Sequence, residues 1–153
     1  MGKYKNTQTK KNPWLEFSLV LSVVILIGLS IPWIEGLDFG GRGIGVATVR
    51  GWHIKWLPIT ALIAVGGYLG ACLKKEQPTT WLVIGLAGSV GSLIPIINTG
   101  ILMQTSTSDE SLYRNVLIIS ESPLIGFWVT SIGIVGMIIC GVGYFMFKKS
   151  SSP

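Results

Sequence analysis

Four apolar runs alternate with polar segments along this chain, and each is long enough for a helix that crosses a bilayer. They cover 17–34, 57–73, 81–102 and 124–147. No charge interrupts the first run, and Trp14 and Trp33 stand at its ends, where an indole ring prefers the headgroup level. The third run begins at Trp81 and ends at Ile97 unless Asn98-Thr99-Gly100 stays helical; Pro95 is placed to kink it. Between the first two runs, over 35–56, the period changes to two. Leu37-Asp38-Phe39 predicts a short strand and Gly40-Gly41-Arg42-Gly43 a tight turn. From Ile44 the residues Ile44, Val46, Thr48, Arg50, Trp52, Ile54 and Trp56 share one face of a second strand, which Gly51 bends. Over 104–122 the pattern leaves two readings open. Leu112 to Ser120 fits an interfacial helix capped by Ser108, with Asp109 and Glu110 in its first turn. It fits equally a strand through Val116 to Ile119 that extends the hairpin. The expected fold class is an all-α integral membrane protein: one domain, 1–153, in which a four-helix transmembrane bundle carries a small extracytoplasmic β-hairpin in its first loop.

Composition agrees with this pattern. Charged residues make up 12 %, against about 25 % in a soluble domain, and there are 20 glycines, which let membrane helices approach closely. The net charge of +5 would suit nucleic acid, but the lysines flank apolar runs instead of forming one patch, so nucleic acid is not an expected partner. Lys3, Lys5, Lys10, Lys11, Lys74, Lys75, Lys148 and Lys149 fall on one side of the predicted bilayer. Only Arg42, Arg50, Lys55 and Arg114 fall on the other, together with five of the seven acids. This asymmetry places both termini in the cytoplasm and both loops, 35–56 and 104–122, outside a plasma membrane. Met1-Gly2 lacks the Ser or Thr at position 6 that a myristoylation signal requires. Gly28-Leu29-Ser30-Ile31-Pro32-Trp33 offers no small-x-small cleavage site, so the first run is expected to stay as an anchor.

Small residues recur at helical spacing: Gly66, Gly67, Gly70 and Ala71; Gly85, Gly88, Ser89, Gly91 and Ser92; Gly133, Gly136 and Cys140. They predict close packing within the bundle or against another subunit. The two halves also look alike. Lys10-Lys11-Asn12-Pro13-Trp14-Leu15 is similar to the stretch from Lys74 to Leu82, and Ile31-Pro32 to Ile94-Pro95. Gly67-Tyr68 and Gly143-Tyr144 each shortly precede a lysine pair.

Little in the chain suggests chemistry. No ionisable side chain lies in the middle of a run, which counts against a pump or proton-coupled carrier, and against the small multidrug exporters that use an intramembrane carboxylate. Cys72 and Cys140 form no CxxC or Cys/His cluster, so neither a metal nor a thiol redox centre is expected, and the Gly40–Gly43 turn is no phosphate or dinucleotide loop. No cofactor is expected. His53, with Asp38, Glu35 and Arg50, is the one conceivable polar site.

Four spans, cytoplasmic termini, a larger first outer loop with β character and a smaller second one together resemble the claudin-like tetraspan group. Trp33, Gly36 and Leu37 match a fragment of that group's first-loop motif. Asp38 stands where it has Trp, and its two loop cysteines are missing, so its sealing and adhesion roles do not carry over. The expected function is that of a non-enzymatic membrane protein, an accessory, assembly or sensory subunit. Trp33, Arg42, Arg50, Trp52 and Trp56 are its candidate contacts with a membrane-protein partner or a second copy, since aromatics and Arg anchor interfaces. The alternatives are a carrier or pore for a lipid or small neutral molecule, lined by Ser89, Ser92, Asn98 and Thr130, and a headgroup-processing enzyme built on His53, Asp38 and Arg50.

Overall fold

A computed structural model describes residues 12–38, 45–74, 77–105, 116–118 and 123–150. Helix α1 (Pro13–Ser30) leads into strands β1 (Pro32–Asp38) and β2 (Gly45–Arg50) and a single 3-10 turn, Gly51–His53. Helices α2 (Leu57–Leu73) and α3 (Pro78–Thr105) follow, then strand β3 (Val116–Ile118) and helix α4 (Ile125–Ser150). Stretches of α1, α3 and α4 are long and apolar enough to cross a membrane: Pro13–Ser30, Pro78–Ile101 and Ile125–Lys149. Helix α2 is a shorter apolar helix.

Helix α1 starts earlier and stops earlier than its apolar run. Asn12 Oδ1 accepts from the Trp14 backbone N–H at 3.1 Å, and Pro13, which has no N–H to leave unsatisfied, takes the first helical position. The run was expected to continue to Ile34, but the helix ends at Ser30. Pro32 is the cause. It forces Ile31 into extended backbone, φ −90° and ψ 160°, and it lacks the N–H that would have bonded the Gly28 carbonyl. The indole N–H of Trp33 replaces it, donating to Gly28 O at 2.8 Å.

Strand β1 therefore begins where the span was expected to continue. It pairs antiparallel with β2, from Pro32↔Arg50 to Asp38↔Gly45, so the expected hairpin is present, while the Gly40–Gly43 turn lies outside the described residues. Strand β3 pairs with the other edge of β1, giving the order β2-β1-β3. Within the second polar segment, Val116–Ile118 thus takes the strand reading. The hairpin register slips between Pro32 and Ile34, which leaves Trp33 as the extra residue of a bulge. That slip lets two consecutive side chains, Trp33 and Ile34, both bury fully, which a regular strand forbids.

Two helix pairs pack closely, α1 on α4 and α2 on α3, and sparser α1–α2 and α3–α4 contacts close the ring. Glycines set the close approaches. A side chain at Gly67 would run into the Gly85 backbone, and one at Gly88 into Ala64. The aromatic rings of Trp81 and Trp14 lie against Gly70 and Gly143. Between the pairs, the buried Tyr68 hydroxyl donates to Met137 O; within the second pair, Ser92 Oγ donates to Thr60 Oγ1 at 3.0 Å across α2 and α3. Helix α3 runs unbroken through Pro95 and Asn98-Thr99-Gly100.

Candidate functional site

The sheet and the 3-10 turn form a cap on one end of the bundle, and the sequence-derived candidates divide over it. Trp33 is its anchor. The ring is fully buried, meets Phe127 edge-to-face at 5.5 Å, and fills the space that the missing side chains of Gly51 and Gly126 leave open. A Cβ on Gly51 would stand 2.9 Å from Trp33 Cε2, and one on Gly126 2.6 Å from Trp33 Cδ1. The Trp33 carbonyl accepts from the Leu124 N–H at 2.8 Å, which ties β1 to the start of α4. Trp33 was expected to touch a partner at the membrane surface. With no exposed area it instead joins α1, β1, the 3-10 turn and α4.

Trp52 and Trp56 remain at the surface, 38 % and 63 % exposed. The Trp52 indole N–H donates to Ser30 Oγ at 3.0 Å, which clips the 3-10 turn to the last turn of α1. Trp56 has φ 68°, a left-handed backbone unusual for a bulky residue, and it is the residue from which α2 starts. The helix holds it there: Thr60 donates to the Trp56 carbonyl from both its N–H, at 3.0 Å, and its hydroxyl, at 3.1 Å. The expected strand face from Ile44 to Trp56 therefore breaks at Gly51. Beyond it Ile54 is buried while Trp52 and Trp56 face outward. In β2 itself Val49 faces the bundle, and Thr48 and Arg50 are exposed. Arg42 lies outside the described residues.

The described surface of this cap, Thr48, Arg50, Trp52, His53, Lys55 and Trp56 with Glu35 on β1, is aromatic and mainly cationic. His53 Nδ1 accepts from the Arg50 backbone N–H at 3.4 Å, so the imidazole closes its own turn. Asp38 is not near it. Asp38 pairs with Gly45 at one end of the hairpin and Arg50 with Pro32 at the other, about 17 Å apart at strand rise. Of the polar trio of the enzyme reading, His53 and Arg50 are neighbours and Asp38 stands at the other end of the hairpin. Ser89, Ser92 and Thr130 are buried and bond carbonyls one turn back on their own helices, and Asn98 is exposed. Cys72 and Cys140 are free thiols, and Cys72 Sγ donates to Leu15 O at 3.7 Å.

Sequence reasoning missed Ser30, Gly28, Gly126 and Phe127 as parts of this cap. Gly126-Phe127 comes one residue after the chain's return to the bundle at Pro123-Leu124, a sequence sign that a backbone must pass close to something bulky. No family model, curated protein or solved structure matches the chain.

Proposed function

We propose that this chain is a four-span integral membrane protein of the cell membrane, with both termini cytoplasmic, and that it acts as a non-enzymatic accessory, assembly or sensory subunit. Helix α2, 17 residues and about 25 Å long, serves as the fourth span, close to the thickness of the hydrocarbon core. Trp56 and Lys74 at its two ends supply interfacial anchors. The orientation rests on the placement of eight of the twelve basic residues on the side of the termini.

The observation that carries the functional reading is the mounting of the cap. Trp33, fully buried, fixes a three-stranded sheet to the bundle, and Arg50, Trp52 and Trp56 stand exposed on elements that this anchor holds in place. Preorganised aromatic and Arg side chains bind a protein partner with little ordering cost. The partner on this reading is a membrane protein whose own loop lies at the same level.

A photo-crosslinking residue at position 52 or 56, in native membranes, tests this. A discrete adduct with one protein, absent when the probe sits at position 94 on the bundle's exposed side, is expected. Adducts with lipid alone from both cap positions would end the docking reading.

A further inference from the structure

The opposite end of the bundle carries lysines. Trp14 of α1 lies over Gly143 of α4, Trp81 of α3 over Gly70 of α2, and Cys72 reaches Leu15, so the starts of α1 and α3 meet the ends of α2 and α4 here. Lys74, Lys148 and Lys149 are exposed at this end. Two of them are tied to α3. Lys148 Nζ donates to Thr79 Oγ1 at 3.0 Å, and Lys74 Nζ stands 5.1 Å from the centroid of the Trp81 ring. Thr79 and Trp81 lie on different sides of the helix, so the two ammonium groups flank its first turn. The acid described at this end is the exposed Glu16. Toward this end of their helices, Leu73, Val83 and Met146 are 80 %, 53 % and 69 % exposed.

We propose that this lysine end is a docking surface for anionic phospholipid headgroups of the leaflet in which it lies. The inference rests on the membrane-spanning reading above and goes beyond it by naming the lipid class. Charge complementarity carries it. The segments joined to this end hold eight lysines and two acids, Glu16 and Glu76, whereas the cap end holds four basic residues and five acids. A lysine at headgroup depth attracts an anionic lipid severalfold over a zwitterionic one. Contact with Thr79 and Trp81 restricts Lys148 and Lys74 beforehand, so less side-chain freedom is lost when a phosphate arrives.

The test uses the full-length chain reconstituted in phosphatidylcholine vesicles with a trace of spin-labelled phosphatidylglycerol or spin-labelled phosphatidylcholine, and reads the motionally restricted fraction of each label. A preference of about threefold for phosphatidylglycerol is expected, lost in K74Q/K148Q/K149Q and kept in K55Q at the other end. Equal association of both labels with the unmodified chain, or an unchanged preference in the triple variant, overturns the proposal. Excess inorganic phosphate, compared with chloride at equal ionic strength, leaves the preference intact if the surface is built for lipid; displacement by phosphate assigns the lysines to a soluble anion and overturns it. Release of the chain from vesicles by alkaline carbonate would count separately, against the spanning reading itself.

Discussion

Trp33 shows how one residue turns a local constraint into an architectural joint. Pro32 removes an N–H from the helix, the Gly28 carbonyl is left open, and the neighbouring indole closes it at 2.8 Å. The same ring then packs on Phe127, Gly51 and Gly126. Trp33→Ala is therefore expected to cost about 3–5 kcal/mol, by cavity formation and the loss of a buried hydrogen bond. Trp33→Phe keeps most of the packing and is expected to cost about 1–2 kcal/mol, chiefly through the unpaired Gly28 carbonyl. Trp52→Ala, at a residue 38 % exposed, is expected to stay within about 1 kcal/mol. Thermal unfolding in mild detergent, followed by near-ultraviolet circular dichroism, ranks the three; equal losses for Trp33→Ala and Trp52→Ala would refute the anchoring role. The tryptophan itself and its place beside a proline were legible in the sequence. Its burial was not, because an indole at the end of an apolar run reads as an interfacial belt residue until the element that covers it is known.

At the scale of elements, glycine decides which helix faces meet. Gly66 and Gly67 are adjacent, yet nothing lies within 4 Å of a Cβ built on Gly66, while one on Gly67 would run into the Gly85 backbone. Gly66→Ala is accordingly expected to be neutral or stabilising by up to about 1 kcal/mol, from helix propensity alone. Gly67→Ala forces α2 and α3 apart and is expected to destabilise by about 1–3 kcal/mol. Resistance to unfolding by sodium dodecyl sulfate separates the pair, and a Gly67→Ala protein as resistant as the Gly66→Ala one would contradict this packing. Tyr68→Phe, which removes the hydroxyl that reaches Met137 across the bundle, is expected to cost about 0.5–1.5 kcal/mol in the same assay. The sequence pattern identified the small-residue stripes and the β-hairpin, since both are periodic and local. It left Val116–Ile118 undecided, because three residues of strand are selected by the β1 edge they pair with.

Over the whole molecule, the close helix pairs are α1 with α4 and α2 with α3. A twofold rotation that carries α1 onto α3 and α2 onto α4 exchanges these two pairs, as the likeness of the sequence halves suggests. Aligning Trp14 with Trp81 sets the buried Ser18, Ser22, Ile25, Gly28 and Leu29 against Gly85, Ser89, Ser92, Pro95 and Ile96, all buried. The Ile31-Pro32 and Ile94-Pro95 motifs do not correspond in space, because Pro32 starts a strand and Pro95 sits inside a helix. On the four-span reading, a single cysteine placed at position 41 is expected to react with a membrane-impermeant maleimide in intact cells, and one at position 76 only after lysis. Reaction at both positions before lysis would invert or break the proposed topology.

The sequence by itself determined the four apolar runs, the lysine-rich and mixed-charge ends, and the hairpin in the first polar loop. Hydropathy, charge and turn chemistry are properties of short stretches, and any fold of the chain must respect them. Only the tertiary structure decided that the first helix yields to a strand at Pro32, that a bulge turns Trp33 into the bundle, and that Asp38 and His53 lie apart. The strand needs β2 and β3 to pair with, the bulge and the separation follow from the register against β2, and Trp33 is seated where Gly126 and Phe127 meet it within a few ångströms.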